Sequence, residues 1–208
     1  LEYINYQSLI LKKKYNEADE IFNKISNDYQ EKICKFLEKF NLFELAFAKT
    51  TNLQRKLELA VLLKKLNEAI DIAYKLNNKE NWKIIADLAL DNGKFEIAEK
   101  SMQLANDYSG LLLYYSCISH KDKLRELGEV AFSDGHFNIS FNCFLQINDV
   151  HKCVKILLDS NQIPEAALFC RTYCPSLLST VLENWNEKLN EVDPSHRTQV
   201  RILNPIEN

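Results

Sequence analysis

Leu66-Asn67-Glu68-Ala69 opens with a bulky apolar residue and places a small one three positions on. The phrase recurs as Tyr15-Asn16-Glu17-Ala18, Phe95-Glu96-Ile97-Ala98, Phe137-Asn138-Ile139-Ser140 and Ile163-Pro164-Glu165-Ala166. A looser copy, Leu42-Phe43-Glu44-Leu45, carries its small residue one place later, at Ala46. The bulky residues stand 27, 24, 29, 42 and 26 positions apart. Each copy reads as the start of a helix, with the small residue admitting a close neighbour and the bulky one filling the groove beside it. The long interval leaves room for an extra helix, which Lys121 to Phe132 supplies. A hairpin of this kind cannot bury its apolar face alone, so successive hairpins must stack.

The segments between the copies carry the same period. Ile33, Phe36, Leu37 and Phe40 follow an i, i+3, i+4, i+7 pattern, as do Leu59, Leu62, Leu63 and Leu66. Trp82, Ile85, Ala86 and Ala89 repeat it, and Leu124, Leu127, Gly128 and Ala131 hold a further face. Leu178, Val181, Leu182, Trp185, Leu189 and Val192 line one side of a last helix. Trp82 and Trp185 are therefore expected as core knobs. Asn67, Asp107 and Asn148 read as helix N-caps, and Asn92-Gly93 and Asp134-Gly135 as helix ends closed at positive φ. Pro164 suits a first helical turn, and Pro175 divides two helices. Linkers of two to five residues force antiparallel neighbours. The expected fold is all-α, a solenoid of stacked antiparallel hairpins over residues 1–192, with an irregular tail at 193–208.

Composition agrees. The 208 residues include only four glycines and four prolines, against eleven Phe, nine Tyr and two Trp. So few turn-formers do not support many tight hairpins of strands. The formal charge is −3 with both signs interspersed, which is not the basic stripe of a nucleic-acid binder. Lys12-Lys13-Lys14 reads as a solvated helix end. No apolar run approaches the roughly 18 residues of a membrane span. Tyr108 to Ile118 is apolar almost all round and is expected to be covered on most sides, mid-array or beneath a partner. With Leu1 first and Met102 the only methionine, a piece of a longer polypeptide is expected.

Chemistry finds little purchase. Six cysteines lie in helical patterns without a CxxC pair, so free thiols, no metal and no disulfide framework are expected. Cys143 has His136 and His151 in the same half of the chain, but its surroundings, Phe141-Asn142-Cys143-Phe144, read as a packed seam. No phosphate-binding glycine loop is present. The chain is read as a non-enzyme without cofactors.

Several phrases resemble the solenoid of the coatomer beta-prime family. They are Trp82-Lys83-Ile84-Ile85-Ala86-Asp87-Leu88-Ala89, Asp107-Tyr108-Ser109-Gly110-Leu111-Leu112-Leu113 and Pro164 through Tyr173 with Pro175 close behind. Phe36-Leu37-Glu38-Lys39 and the spacing of Val181, Trp185, Leu189 and Val192 add to them, in collinear order over about residues 1 to 193. Ile163 departs from the Leu of that pattern. The resemblance implies the scaffold arm of a COPI vesicle coat, downstream of two β-propellers that read cargo signals. It implies cytoplasmic placement on Golgi membranes and coated vesicles, with membrane association only through the assembled coat. The implied partners are the coatomer alpha subunit and other coatomer subunits, in Golgi–ER and intra-Golgi transport. The alpha-subunit solenoid, or another TPR-like adaptor, is the alternative identity. Candidate partner anchors are Tyr114, Tyr115, Phe132, Phe141, Phe144, Phe169, Tyr173 and Trp185.

Overall fold

A computed structural model describes residues 2–22, 25 and 27–192. Among them there is no strand, and the chain is an all-α solenoid of stacked helix hairpins. It divides into two compact units, residues 1–107 and 108–208. The expected tail at 193–208 lies outside the described residues.

The first unit holds α1 (Glu2–Leu11), α2 (Tyr15–Phe22), α3 (Asn27–Lys39), α4 (Phe43–Lys49), α5 (Leu53–Leu62), α6 (Leu66–Leu76), α7 (Lys79–Asp91) and α8 (Phe95–Ala105). They pair in sequence as four hairpins, and α1 also packs on α3, and α5 on α7. One apolar cluster joins Tyr6, Ile33 and Leu37 to Leu59, and a second joins Leu57 to Trp82, Ile85 and Ala105. Gln54 and Asn81 exchange amide hydrogen bonds at 3.3 Å, tying the starts of α5 and α7. Arg55 binds Glu38 on α3 and Glu58 on its own helix, the latter at 2.7 Å. The opposed carboxylates hold its guanidinium well above the ordinary arginine range.

The second unit holds α9 (Tyr108–Cys117), α10 (Lys121–Ser133), α11 (Phe137–Gln146), α12 (Val150–Asp159), α13 (Ile163–Tyr173), a 3₁₀ turn (Pro175–Leu177) and α14 (Leu178–Val192). The long interval of the repeat thus contains two helices, with α9 additional to the α10–α11 hairpin and packed on both its members. Pro164 sits in the first turn of α13, and Pro175 opens the break before α14, as expected.

Five of the six repeat-bearing helices begin at the opening residue of the phrase, and α4 begins one residue later, at Phe43, with Leu42 as its N-cap. Ala18, Ala46, Ala69, Ala98, Ser140 and Ala166 are completely buried. The bulky openers are less uniform. Leu66 and Ile163 are buried, but Phe95 is 56% and Tyr15 38% exposed. Groove filling therefore holds at some corners only. A small residue in the first turn, three or four positions after the opener, is the invariant that packing requires.

Corners follow one backbone recipe. A residue at positive φ ends each first helix: Lys13, Asn41, Lys64, Gly93, Gly135 or Asn161. The amide of the residue that follows closes the loop, as when Lys65, Lys94, His136 and Gln162 donate to Ala60, Ala89, Ala131 and Leu157 carbonyls at 2.8–2.9 Å. Gly93 and Gly135 behave as expected. Asn67 and Asn148 do not. Asn67 lies inside α6, and Asn148 is itself the positive-φ residue, leaving Asp149 to accept from the Lys152 amide at 3.1 Å. Asparagine's tolerance of the left-handed region is the property used there.

Two further expectations need correction. Trp82 is buried and meets Tyr74 edge-on at 4.7 Å, whereas Trp185 is only half-buried against the Val154–Val181 cluster. The α9 segment is not covered on most sides by this chain itself: Leu111 and Tyr115 are buried, but Leu113 is 67% and Ile118 50% exposed.

Candidate interaction surface

The eight aromatic candidates separate by burial. Phe144 and Tyr115 are core residues, 1% and 3% exposed, and are not available to a partner. Phe144 is fixed by the α10–α11 contact. A Cβ on Gly128 would stand 2.8 Å from the Phe144 ring, so only glycine allows this approach. Ser140 secures it by donating to the Gly128 carbonyl at 2.8 Å. Tyr114 is half-buried beside Tyr115, with ring centroids 5.6 Å apart.

Phe132, Phe141 and Phe169 are half-buried around a core of Phe144, Cys153 and Ile156. Phe132 meets Phe137 edge-on at 5.5 Å. Phe141 on α11 meets Phe169 on α13 edge-on at 5.5 Å, and Phe169 meets Tyr173 at 4.8 Å. Together they form a continuous aromatic ribbon that runs outward and ends at Tyr173, which is 61% exposed. The structure thus brings three candidates together and leaves Tyr114 and Trp185 in other contacts. Leu168, adjacent to Phe169 and 63% exposed, is a residue the sequence reading passed over. An apolar residue facing solvent on an otherwise well-packed helix is visible in sequence only once the buried face, Ala166, Ala167 and Cys170, is known.

The cysteines are free thiols, with Cys117 exposed and the other five buried. Burial pushes the Cys143 and Cys153 thiols up to about 11, with Asp149 contributing at Cys153. They remain protonated and inert at neutral pH. His136 faces Tyr108, ring centroids 5.0 Å apart, and Tyr108 donates to Asp134. Among the described residues, no three of His, Cys, Asp and Glu converge to hold a metal. A polar cleft of about 230 Å³ lies between α3 and the start of α5, lined by Gln30, Glu31, Cys34, Lys35, Thr50 and Arg55. Its thiol, Cys34, accepts from the Thr50 hydroxyl at 3.0 Å, and burial raises its pKa. No described helix is long and apolar enough to cross a membrane.

What the packing leaves is a helical array with apolar side chains turned outward, the form of a binding surface. Comparison with known proteins agrees. The chain is 34% identical over 194 residues to coatomer subunit beta'-1 of Arabidopsis thaliana, covering 93% of this chain and 21% of that protein. It is 32% identical over 193 residues to coatomer subunit beta' of Drosophila melanogaster and 30% over 190 residues to that of Homo sapiens. The chain therefore spans only 21% of the length of these relatives. The family model for the COPA/B TPR domain matches residues 6–186, and with the helical array that it describes, the chain belongs to this family.

Proposed function

We propose that this chain is a solenoid segment of a COPI-type vesicle coat. It works as a non-enzymatic scaffold that binds other coatomer subunits, with the coatomer alpha subunit as its direct partner. The observation that carries the reading is the family match over residues 6–186, joined to similarity with proteins named coatomer subunit beta'. The coat forms in the cytoplasm on Golgi membranes and serves Golgi–ER and intra-Golgi transport. The segment reaches the membrane through that assembly.

The contact is assigned to the Phe141–Phe169–Tyr173 ribbon with Leu168 beside it. Partly buried aromatics whose tips reach solvent lose little side-chain freedom on binding, which suits them as anchors. A stable contact needs more than about 1,000 Å² of total buried surface, so neighbouring helices must contribute. Mixing this chain with the alpha-subunit solenoid and measuring mass by sedimentation tests the reading. A 1:1 species is expected. No complex at tens of micromolar, about −6 kcal/mol, would exclude this segment as the docking site.

A further inference from the structure

The corners of the first unit differ in which residue occupies the left-handed position. Asn41 and Gly93 are residues that tolerate it, but α1–α2 and α5–α6 turn through Lys13 (φ 59°) and Lys64 (φ 55°). A Cβ there crowds the following carbonyl, and lysine has no short polar group to offset it. A lysine kept against backbone preference points to a role for the side chain.

Both corners share a second feature. Two residues before each lysine stands a leucine turned into solvent, Leu11 at 58% and Leu62 at 65% exposed. Lys12 is exposed beside Lys13, while Lys14 is paired with Glu17 at 2.8 Å and Lys65 lies 3.9 Å from Glu68. The corner between them, α3–α4, exposes Lys39 and Phe40, with Glu38 occupied by Arg55 and Glu44 the exposed acid. These corners share one edge. The Tyr3 and Tyr29 rings meet at a tilt, centroids 5.9 Å apart, setting the starts of α1 and α3 together, and Leu63 lines one depression with Asn41 to Leu45.

We propose that this edge is a contact surface for an anionic lipid bilayer. Lys12, Lys13, Lys39 and Lys64 meet headgroups, and Leu11, Phe40 and Leu62 enter the boundary below them. Lysine beside an exposed apolar tip is the composition that partitions to such an interface, the charge staying at the headgroups while the tip leaves water. A protein partner would need a carboxylate registered to each lysine and a pocket for each tip. A bilayer needs only that they lie along one edge. This direct contact adds to the attachment through the coat and does not depend on it.

The test is flotation of the 208-residue chain with vesicles of phosphatidylcholine, with and without phosphatidylserine, at low salt. Binding is expected only with phosphatidylserine, and it should weaken as salt is raised. At about fivefold per lysine, Lys12→Glu/Lys13→Glu/Lys64→Glu should lower partitioning on the order of a hundredfold. Leu11→Ser/Leu62→Ser should lower it severalfold with wild-type lysines in place. The matched reversal of exposed Lys83, Lys121 and Lys155 to Glu should leave binding within about twofold, separating an edge from net charge. Circular dichroism melts should overlay for all variants. Absence of binding to phosphatidylserine vesicles would overturn the proposal, as would equal losses in the two triple variants. If the edge variant instead weakens only the complex with the alpha-subunit solenoid, the surface belongs to a protein. A failure with vesicles leaves the sedimentation result, and so the coat reading, standing.

Discussion

Residue by residue, the array is held by small side chains more than by large ones. Ala98 and its counterparts are completely buried, as small residues at a close helix contact are. Replacing Ala98 with Leu should overpack that contact and cost about 1–3 kcal/mol or more, read from urea unfolding. Trp82→Ala should cost about 3–5 kcal/mol, and Trp185→Ala clearly less, since one indole is enclosed and the other half in solvent. Lys64→Gly should stabilise by about 0.5–1 kcal/mol, as it removes the left-handed penalty and loses little else. The phrase of bulky and small residues was legible in the sequence because periodicity exposes it. The role of Asn148 was not, since asparagine serves equally at N-caps and at left-handed corners, and only the backbone angle separates them.

At the scale of elements, the α10–α11 contact is the tightest in the second unit. Gly128 lets α10 approach the Phe144 ring, and Ser140 fastens the two helices. Gly128→Val should destabilise by more than about 2 kcal/mol, and Gly128→Ala by less, because its single methyl displaces one ring edge. Helix existence and order were readable in advance, including the α10 segment. Coverage of α9 was not. A run of uncharged residues announces burial, but which side is covered depends on neighbours that a single strand of sequence does not reveal, and within this chain Leu113 faces outward.

Buried thiols give the second unit a signature in pH. Cys143 and Cys153 titrate near 11 in the folded chain, above an ordinary cysteine, because burial disfavours the thiolate. Tyr6 in the first unit is pushed up to about 12, chiefly by burial. Raised pKa values for groups that are neutral when protonated mean that the folded state holds its protons longer. Their contribution is full below the unfolded values and is lost as pH climbs toward 11–12. Unfolding free energy should therefore fall with pH above about 9, and a flat profile to pH 11 would contradict the burial of these groups. At neutral pH only Cys117 should react promptly with a thiol reagent, the other five waiting for unfolding.

For the whole molecule, the two units present different chemistry. The first carries lysines and leucines on its corners; the second carries an aromatic ribbon. Of the eight aromatics the sequence offers as anchors, three prove contiguous, and Tyr115 and Phe144 are spent on the core. Aromatic content alone does not separate an anchor from a core residue, since both are large and apolar, and the distinction lies in one helix's rotation against the next. The Phe141–Phe169–Tyr173 ribbon is proposed to dock another coatomer subunit. Sedimentation of the chain with the alpha-subunit solenoid, repeated with Leu168→Asp/Tyr173→Asp, tests it most directly. Both sites are solvent-exposed, so the variant should fold as the parent does. A complex is expected with the parent chain and one at least about thirtyfold weaker with the variant, as loss of central anchors requires. A complex of equal strength with both would contradict it.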